Sequence, residues 1–191
     1  MIYLDFNATT PVDPSVLEVM LPLFSSNFGN ASSTQHSFGM AAADLVEGAR
    51  AEVAELLSAR SAEIVFTSGA TESINLGLRG SVSSSLCRDK KRVLVGATEH
   101  KAVLEAAQIA CAENGLQMQE VPVLSDGTLD LDAFDKMISH DVAVVAVMHV
   151  NNETGVSQPL DEICDVLKDH MAYFHVDAAQ GFGKDIDSLK N

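Results

Sequence analysis

A chain of 191 residues, 47% apolar and 20% charged, suffices for one compact domain whose core needs no covalent staples. Its 12 basic and 27 acidic residues leave a formal net charge of −15, which argues against a nucleic-acid groove or an anionic membrane surface, since both need clustered Lys and Arg. A single small anion is still allowed, because backbone N–H groups at a helix start bind phosphate without a cation.

The first segment, Met1-Ile2-Tyr3-Leu4-Asp5, has no basic stretch followed by an apolar run, so no export signal is expected. Asp13-Pro14 reads as an N-cap with Pro at the first helical position, and Val16, Leu17, Met20 and Leu21 follow on one face. The loop Gly29-Asn30-Ala31-Ser32-Ser33 leads into a long helix around His36–Ser58. A strand is predicted at Ile64–Thr67 and a helix from about Thr71, ending near the turn Ser81-Val82-Ser83-Ser84-Ser85. Strand Arg92–Gly96, helix Lys101–Glu113 and strand Met118–Val123 come next, then the turn Ser125-Asp126-Gly127 and a short helix near Asp132–Ile138. The run Val142–Met148 is apolar on both faces and should lie centrally in a parallel sheet; it is far too short for a membrane span. Pro159 opens a helix through His170, and Tyr173–Val176 is a further strand.

Alternating strands and helices imply a doubly wound α/β layer structure, in which ligands sit beyond the carboxyl ends of the strands. Four segments follow predicted strands. Ser68-Gly69-Ala70-Thr71-Glu72 reads either as a phosphate cradle or as a capped helix, with Ser68 or Thr71 accepting N–H bonds and Glu72 matched to the helix dipole. His100, in Thr98-Glu99-His100, opens a helix and can stack on a flat ring or move protons, or can simply be a partly exposed helix-start residue. Asn151-Asn152-Glu153-Thr154-Gly155 is a polar turn. Asp177 can pair with a protonated ring nitrogen of a cofactor such as pyridoxal phosphate or cap the next turn, and Gln180 stands three residues on.

Other chemistries find no support. There is no His-Glu-x-x-His, the six histidines are not at metal-ligand spacing, and the Gly of Asp126–Asp132 is misplaced for a calcium loop. Gly-x-Gly-x-x-Gly, Gly-x-x-x-x-Gly-Lys and Gly-x-Ser-x-Gly are absent. Three cysteines are too few and scattered for a disulfide framework, which fits a reducing compartment and a soluble, cytoplasmic protein. Cys87, beside Arg88 in an expected turn, is read as a reactive candidate, whereas Cys111 and Cys164 fall on helices as small hydrophobes.

Six segments in order resemble the cysteine desulfurases of the pyridoxal-phosphate-dependent class V aminotransferase family. They are Tyr3-Leu4-Asp5-Phe6-Asn7-Ala8-Thr9-Thr10-Pro11, Phe28-Gly29-Asn30-Ala31-Ser32-Ser33, Ile64-Val65-Phe66-Thr67-Ser68-Gly69-Ala70-Thr71-Glu72-Ser73, Thr98-Glu99-His100-Lys101-Ala102-Val103, Met148-His149-Val150-Asn151-Asn152-Glu153-Thr154-Gly155 and His175-Val176-Asp177-Ala178-Ala179-Gln180. The resemblance implies the three-layer, mainly parallel large domain of the fold type I pyridoxal-phosphate enzymes, incomplete at its C-terminus, with residues 1–14 as an N-terminal arm of this 1–191 portion. It further implies that Ala70 and Thr71 hold the cofactor phosphate, His100 stacks on the ring and assists proton transfer, Asn152 and Gln180 contact the phenolic oxygen, and Asp177 binds the ring nitrogen. The implied activity takes sulfur from L-cysteine, releases alanine and leaves an enzyme persulfide for iron–sulfur cluster or thio-cofactor assembly, with a sulfur-acceptor or scaffold protein as partner and a homodimeric enzyme.

Two departures are mild: Ala31 where the family has Pro, and Phe6 where Tyr is common. The third is larger. The family's cofactor-bearing lysine lies in a Ser-x-His-Lys motif that residues 1–191 do not contain, and neither Lys184 nor Lys190 stands in such a motif. The nucleophilic cysteine and the substrate-carboxylate arginine are likewise features of the family's C-terminal half, and none of Cys87, Cys111 and Cys164 matches. The chain is therefore expected to supply the cofactor-binding half, as a truncated product, a piece of a split gene or a binding remnant. It is expected to be unstable alone or buried against a partner, including its own copy. Selenocysteine lyase, another class V enzyme and a non-catalytic interaction protein are the alternatives.

Overall fold

Asp13 accepts a hydrogen bond from Ser15 N at 2.8 Å and so starts the first helix, α1 (Pro14–Met20), with proline in its first turn. The computed structural model describes residues 2–190; Met1, where the expected arm begins, and Asn191 lie outside them. Two compact units are present, one up to Phe66 and one from Thr67 to Leu189.

In the first unit, α2 (Ser37–Leu56) is capped by His36, whose Nδ1 accepts from Gly39 N at 3.1 Å. The loop before it packs so closely that a Cβ on Gly39 would sit 1.8 Å from the Ser33 carbonyl oxygen, a contact only glycine permits. The strand expected at Ile64–Thr67 does not form. A strand needs a neighbour for its ladder. Here Arg50 Nη1 donates to Ile64 O at 2.6 Å, Arg50 lies over the Phe66 ring at 4.9 Å, and Val65 and Phe66 remain exposed.

The second unit carries α3 (Ala70–Val82), β1 (Arg92–Gly96), α4 (Lys101–Asn114), β2 (Gln117–Val121), α5 (Leu131–Met137), β3 (Val142–Met148), α6 (Leu160–Leu167) and β4 (Tyr173–Asp177). The strands form one parallel sheet in the order β2-β1-β3-β4. All seven residues of β3 are buried, as its apolar, β-branched composition predicts for an interior strand. β2 stops two residues short of the predicted end because Pro122 has no N–H to give the ladder, and Val123 instead bridges Leu129.

Helices cover both faces. On one, Ile74, Leu78 and Val82 of α3 and Val103, Ala106 and Ala110 of α4 pack with Val93, Val95, Val144 and Ala146. On the other, Phe134 of α5 and Leu160, Ile163 and Leu167 of α6 pack with Leu94, Val145 and Val147. The unit is thus three-layered, the α/β arrangement expected. Among the described residues no helix is long and apolar enough to cross a membrane, and no group of three His, Cys, Asp or Glu is placed to hold a metal ion.

Candidate functional site

Because β1, β3 and β4 are parallel neighbours, the segments that follow them emerge along one edge of the sheet. Side chains and backbone lock these segments together. Buried Asn151 donates through Nδ2 to Thr98 O at 3.0 Å and accepts at Oδ1 from Glu153 N and Thr154 N, both at 2.9 Å. His149 N donates to Asp177 O at 2.9 Å, and Met148 N donates a short bond to Glu99 Oε1.

The direction of α3 follows from two contacts. Ser84 Oγ, just past its end, lies 3.0 Å from Tyr173 Oη at the start of β4, while a Cβ on Gly77 would sit 3.1 Å from the His175 ring. The helix therefore runs antiparallel to β4 and points its N-terminus toward the end that Asp177 occupies. Tyr173, His175 and Asp177 alternate along the strand and share one face, and Tyr173 packs into the α3–α4 side of the core. Ala70 and Thr71 at the start of α3, His100 at the start of α4 and Asp177 at the end of β4 are thereby brought to one face and one edge. Asn152 and Gln180 stand in the loops beyond β3 and β4 on the same edge.

The chemistry at each position is specific. Gly69, the N-cap of α3, provides no side-chain cap. Ser68 does not cap the helix either: its N and Oγ both donate to Glu72 Oε2 at 2.6 Å, holding that carboxyl below its ordinary range. The first-turn amides thus end at a glycine, the geometry of an anion cradle. His100 Nδ1 accepts from Ala102 N at 3.1 Å, which places the neutral ring's proton on Nε2 and leaves the ring exposed as a donor. Asp177 Oδ1 accepts from Ala179 N at 3.0 Å. His175 Nε2 is buried with no partner among the described residues, and burial holds its ring below the usual histidine range against the pull of Asp177.

Glu99, which the sequence reading passed over, is the most perturbed group at this edge. Burial, opposed by the Met148 N–H bond and aided by the charge of Asp177, pushes its carboxyl up to about 7. The acid is therefore favoured in the folded chain. Stability from this group is full below its ordinary value of 4.5 and is lost as pH rises through about 7. The loss is on the order of 3 kcal/mol. Glu99→Gln, neutral at every pH, is expected to be more stable than the parent well above pH 7 and nearly equal to it at low pH, as read by urea denaturation across pH.

His149 was also missed. Its side chain is 1% exposed, with Nε2 3.2 Å from Asp185 Oδ2 and Nδ1 unpartnered among the described residues. No local pattern marks either residue, since both gain their surroundings from distant segments.

Cys87, the reactive candidate beside Arg88, is buried. The short helical turn that carries it turns Sγ inward, 3.9 Å from Ala143 O, and burial raises the thiol, with Lys90 opposing. Burial also raises Cys164 and pushes Cys111 up to about 11. Treating the native protein with a thiol reagent at mildly alkaline pH is expected to modify Cys87 and Cys111 only after urea is added, with half-buried Cys164 reacting slowly.

A family model, aminotransferase class-V, matches residues 2–190. A cysteine desulfurase IscS of Rickettsia prowazekii (strain Madrid E) is 45% identical over 183 residues, covering 96% of this chain and 44% of the relative. Among solved structures, SspA in complex with cysteine aligns with a TM-score of 0.87 at 33% identity, over 98% of this chain and 54% of its own. DndA from Streptomyces lividans aligns with a TM-score of 0.85 at 39% identity, over 99% of this chain and 52% of its own. The chain spans about half the length of the relatives it matches.

Proposed function

The chain belongs to the class-V aminotransferase family, and from that premise we propose that its strand-edge site holds pyridoxal 5′-phosphate and serves the removal of sulfur from L-cysteine. One observation carries the reading: the glycine-capped start of α3 and the carboxylate of Asp177 meet on one face and one edge of the sheet. This donor set fits the cofactor. Ala70 and Thr71 offer helix-start N–H groups and a hydroxyl to a phosphate, and the helix dipole adds a partial positive charge. Asp177 offers an anion to a protonated ring nitrogen, and His100 presents an exposed ring at the start of α4. Asn152 and Gln180 are assigned to the phenolic oxygen. Bound there, the cofactor supplies an electron sink for the carbanion that forms next to the substrate's amino group.

His100 is the proton-handling residue of this set, because its exposed Nε2 is the nitrogen not committed to capping. The sulfur balance is simple: the Cβ–S bond of cysteine breaks, an S–S bond forms on an attacking thiol, and the carbon fragment is protonated to alanine. Buried Cys87 and Cys111 and the raised thiol of Cys164 do not suit that attack, so the nucleophile is assigned to a cysteine outside residues 1–191. The cysteine seen with the relative SspA supports this substrate class. Delivery of sulfur to a scaffold for iron–sulfur assembly, a homodimeric enzyme and a cytoplasmic location complete the proposal.

The test is to titrate the purified protein with pyridoxal phosphate, trap with borohydride and map the peptides, then assay alanine release from cysteine and from selenocysteine. Saturable, non-covalent binding is expected with no specific adduct at Lys184 or Lys190, and alanine release with preference for cysteine only where a lysine and a cysteine from outside residues 1–191 complete the site. A protein that does not bind the cofactor would sink the proposal, and preference for selenocysteine would redirect it.

A further inference from the structure

We propose that Glu99 is a positioning residue for Asp177, acting as a neutral carboxylic acid clamped over the ends of β1 and β3. The inference rests on the reading of Asp177 as the carboxylate that faces the cofactor's ring nitrogen.

The geometry begins with the backbone. Glu99 N donates to Gly96 O at 3.2 Å, which turns the chain back at the end of β1, and a Cβ on Gly96 would lie 3.2 Å from Glu99 Oε1. The side chain is folded over the strand end with the residue only 7% exposed. Oε1 accepts from Met148 N, the last amide of β3, and Met148 is the register partner of Asp177. The carboxyl thus sits one strand from the group it influences.

Its ionisation state follows from what surrounds it. Among the described residues, Oε2 is buried with no hydrogen-bond partner and no Lys or Arg pairs with the group. One N–H donor does not replace the hydration of a carboxylate. The charged group that acts on it is Asp177 at the end of β4, His100 is its neighbour in the chain, and β3 contributes the Met148 amide. Two carboxylates this close resist joint ionisation, and the more deeply buried one keeps the proton. Asp177 is less buried and accepts from Ala179 N, so Glu99 is the one of the two whose surroundings favour the neutral acid. The upward push of burial on the Glu99 carboxyl agrees with this assignment.

The consequence is mechanical and electrostatic. Neutral Glu99 ties the Thr98–His100 segment to β3 without adding a second negative charge, so Asp177 presents one undivided charge to a cation. A permanently charged Glu99 would compete for that cation's field while straining its own burial.

The experiment compares Glu99→Gln and Glu99→Ala with the parent in two readouts. The first is the dissociation constant for pyridoxal phosphate at neutral pH. Glu99→Gln, neutral and of the same shape, is expected to bind within about threefold of the parent, and Glu99→Ala at least about tenfold more weakly. The second is carbon-13 carboxyl NMR of the cofactor-free protein, with hydrogen exchange of the Met148 amide. Glu99 is expected to titrate near neutrality, and Met148 to stay protected in Glu99→Gln and lose protection in Glu99→Ala.

Three results would overturn the inference: Glu99→Ala binding as the parent does, Glu99→Gln binding as weakly as Glu99→Ala, or Glu99 titrating in the ordinary carboxylate range. If the parent binds no pyridoxal phosphate at all, the functional reading fails. The NMR and exchange measurements then still decide whether Glu99 is the neutral clamp.

Discussion

Replacing Asp177 by Asn is expected to weaken pyridoxal phosphate binding by about 30- to 150-fold while leaving the fold intact, because a charge-assisted hydrogen bond contributes about 2–3 kcal/mol and a neutral amide does not reproduce it. The variant keeps an oxygen for Ala179 N, which in the parent donates to Asp177 Oδ1 at 3.0 Å, so the turn after β4 is retained. Removing the charge also removes one of the influences that raise Glu99, whose remaining perturbation then comes from burial against the Met148 bond. Equilibrium titration with the cofactor, beside a urea unfolding curve, separates the two effects. Equal affinity in parent and variant would remove Asp177 from the site and with it the orientation assigned to the ring.

The second large effect is structural. Gly181 follows the Asp177–Gln180 segment, and a Cβ there would lie 1.9 Å from His149 Nδ1 and 2.5 Å from Cε1. His149 cannot give way easily: it is 1% exposed, and its Nε2 faces Asp185 at 3.2 Å. Backbone bonds hold it on both sides, from its N–H to Asp177 O and from Gln158 N to its carbonyl, each at 2.9 Å. Gly181→Ala is therefore expected to destabilise the second unit by about 3 kcal/mol, the upper range for overpacking. Calorimetry of the single variants and of the double variant with His149→Ala tests the cause. If the clash is with the imidazole, the second substitution makes Gly181→Ala far less costly than it is alone, a coupling that distant sites do not show. Additive losses would place the strain elsewhere.

Much of this fold was legible in the chain because its signals are local. Asp13 before Pro14, the seven apolar residues of β3 and the strand–helix alternation after Arg92 each announce an element through hydrogen-bonding capacity and side-chain periodicity. The reading failed at Ile64–Thr67, where an apolar β-branched run looks like a strand but Arg50 takes the Ile64 carbonyl and no ladder forms. At Cys87 the turn forms as expected, but it buries the sulfur, which does not suit the reactivity that the neighbouring Arg88 suggests. Of the candidate site, Ala70, Thr71, His100, Asn152, Asp177 and Gln180 were legible as segments following strands. Glu99 and His149 were not, since a buried carboxyl and a buried imidazole are defined by partners up to 49 residues away.

From the order of its residues alone, this chain determined its alternation of elements, its acidic surface and the resemblance carried by six short segments, because each depends on near neighbours along the backbone. Tertiary structure alone decided that α3 runs against β4, that Asp177 shares a face with two helix starts, and that the Glu99 carboxyl is buried against the Met148 amide. Those outcomes depend on dehydration and on the spacing of charges across strands, and neither quantity exists until the sheet has closed.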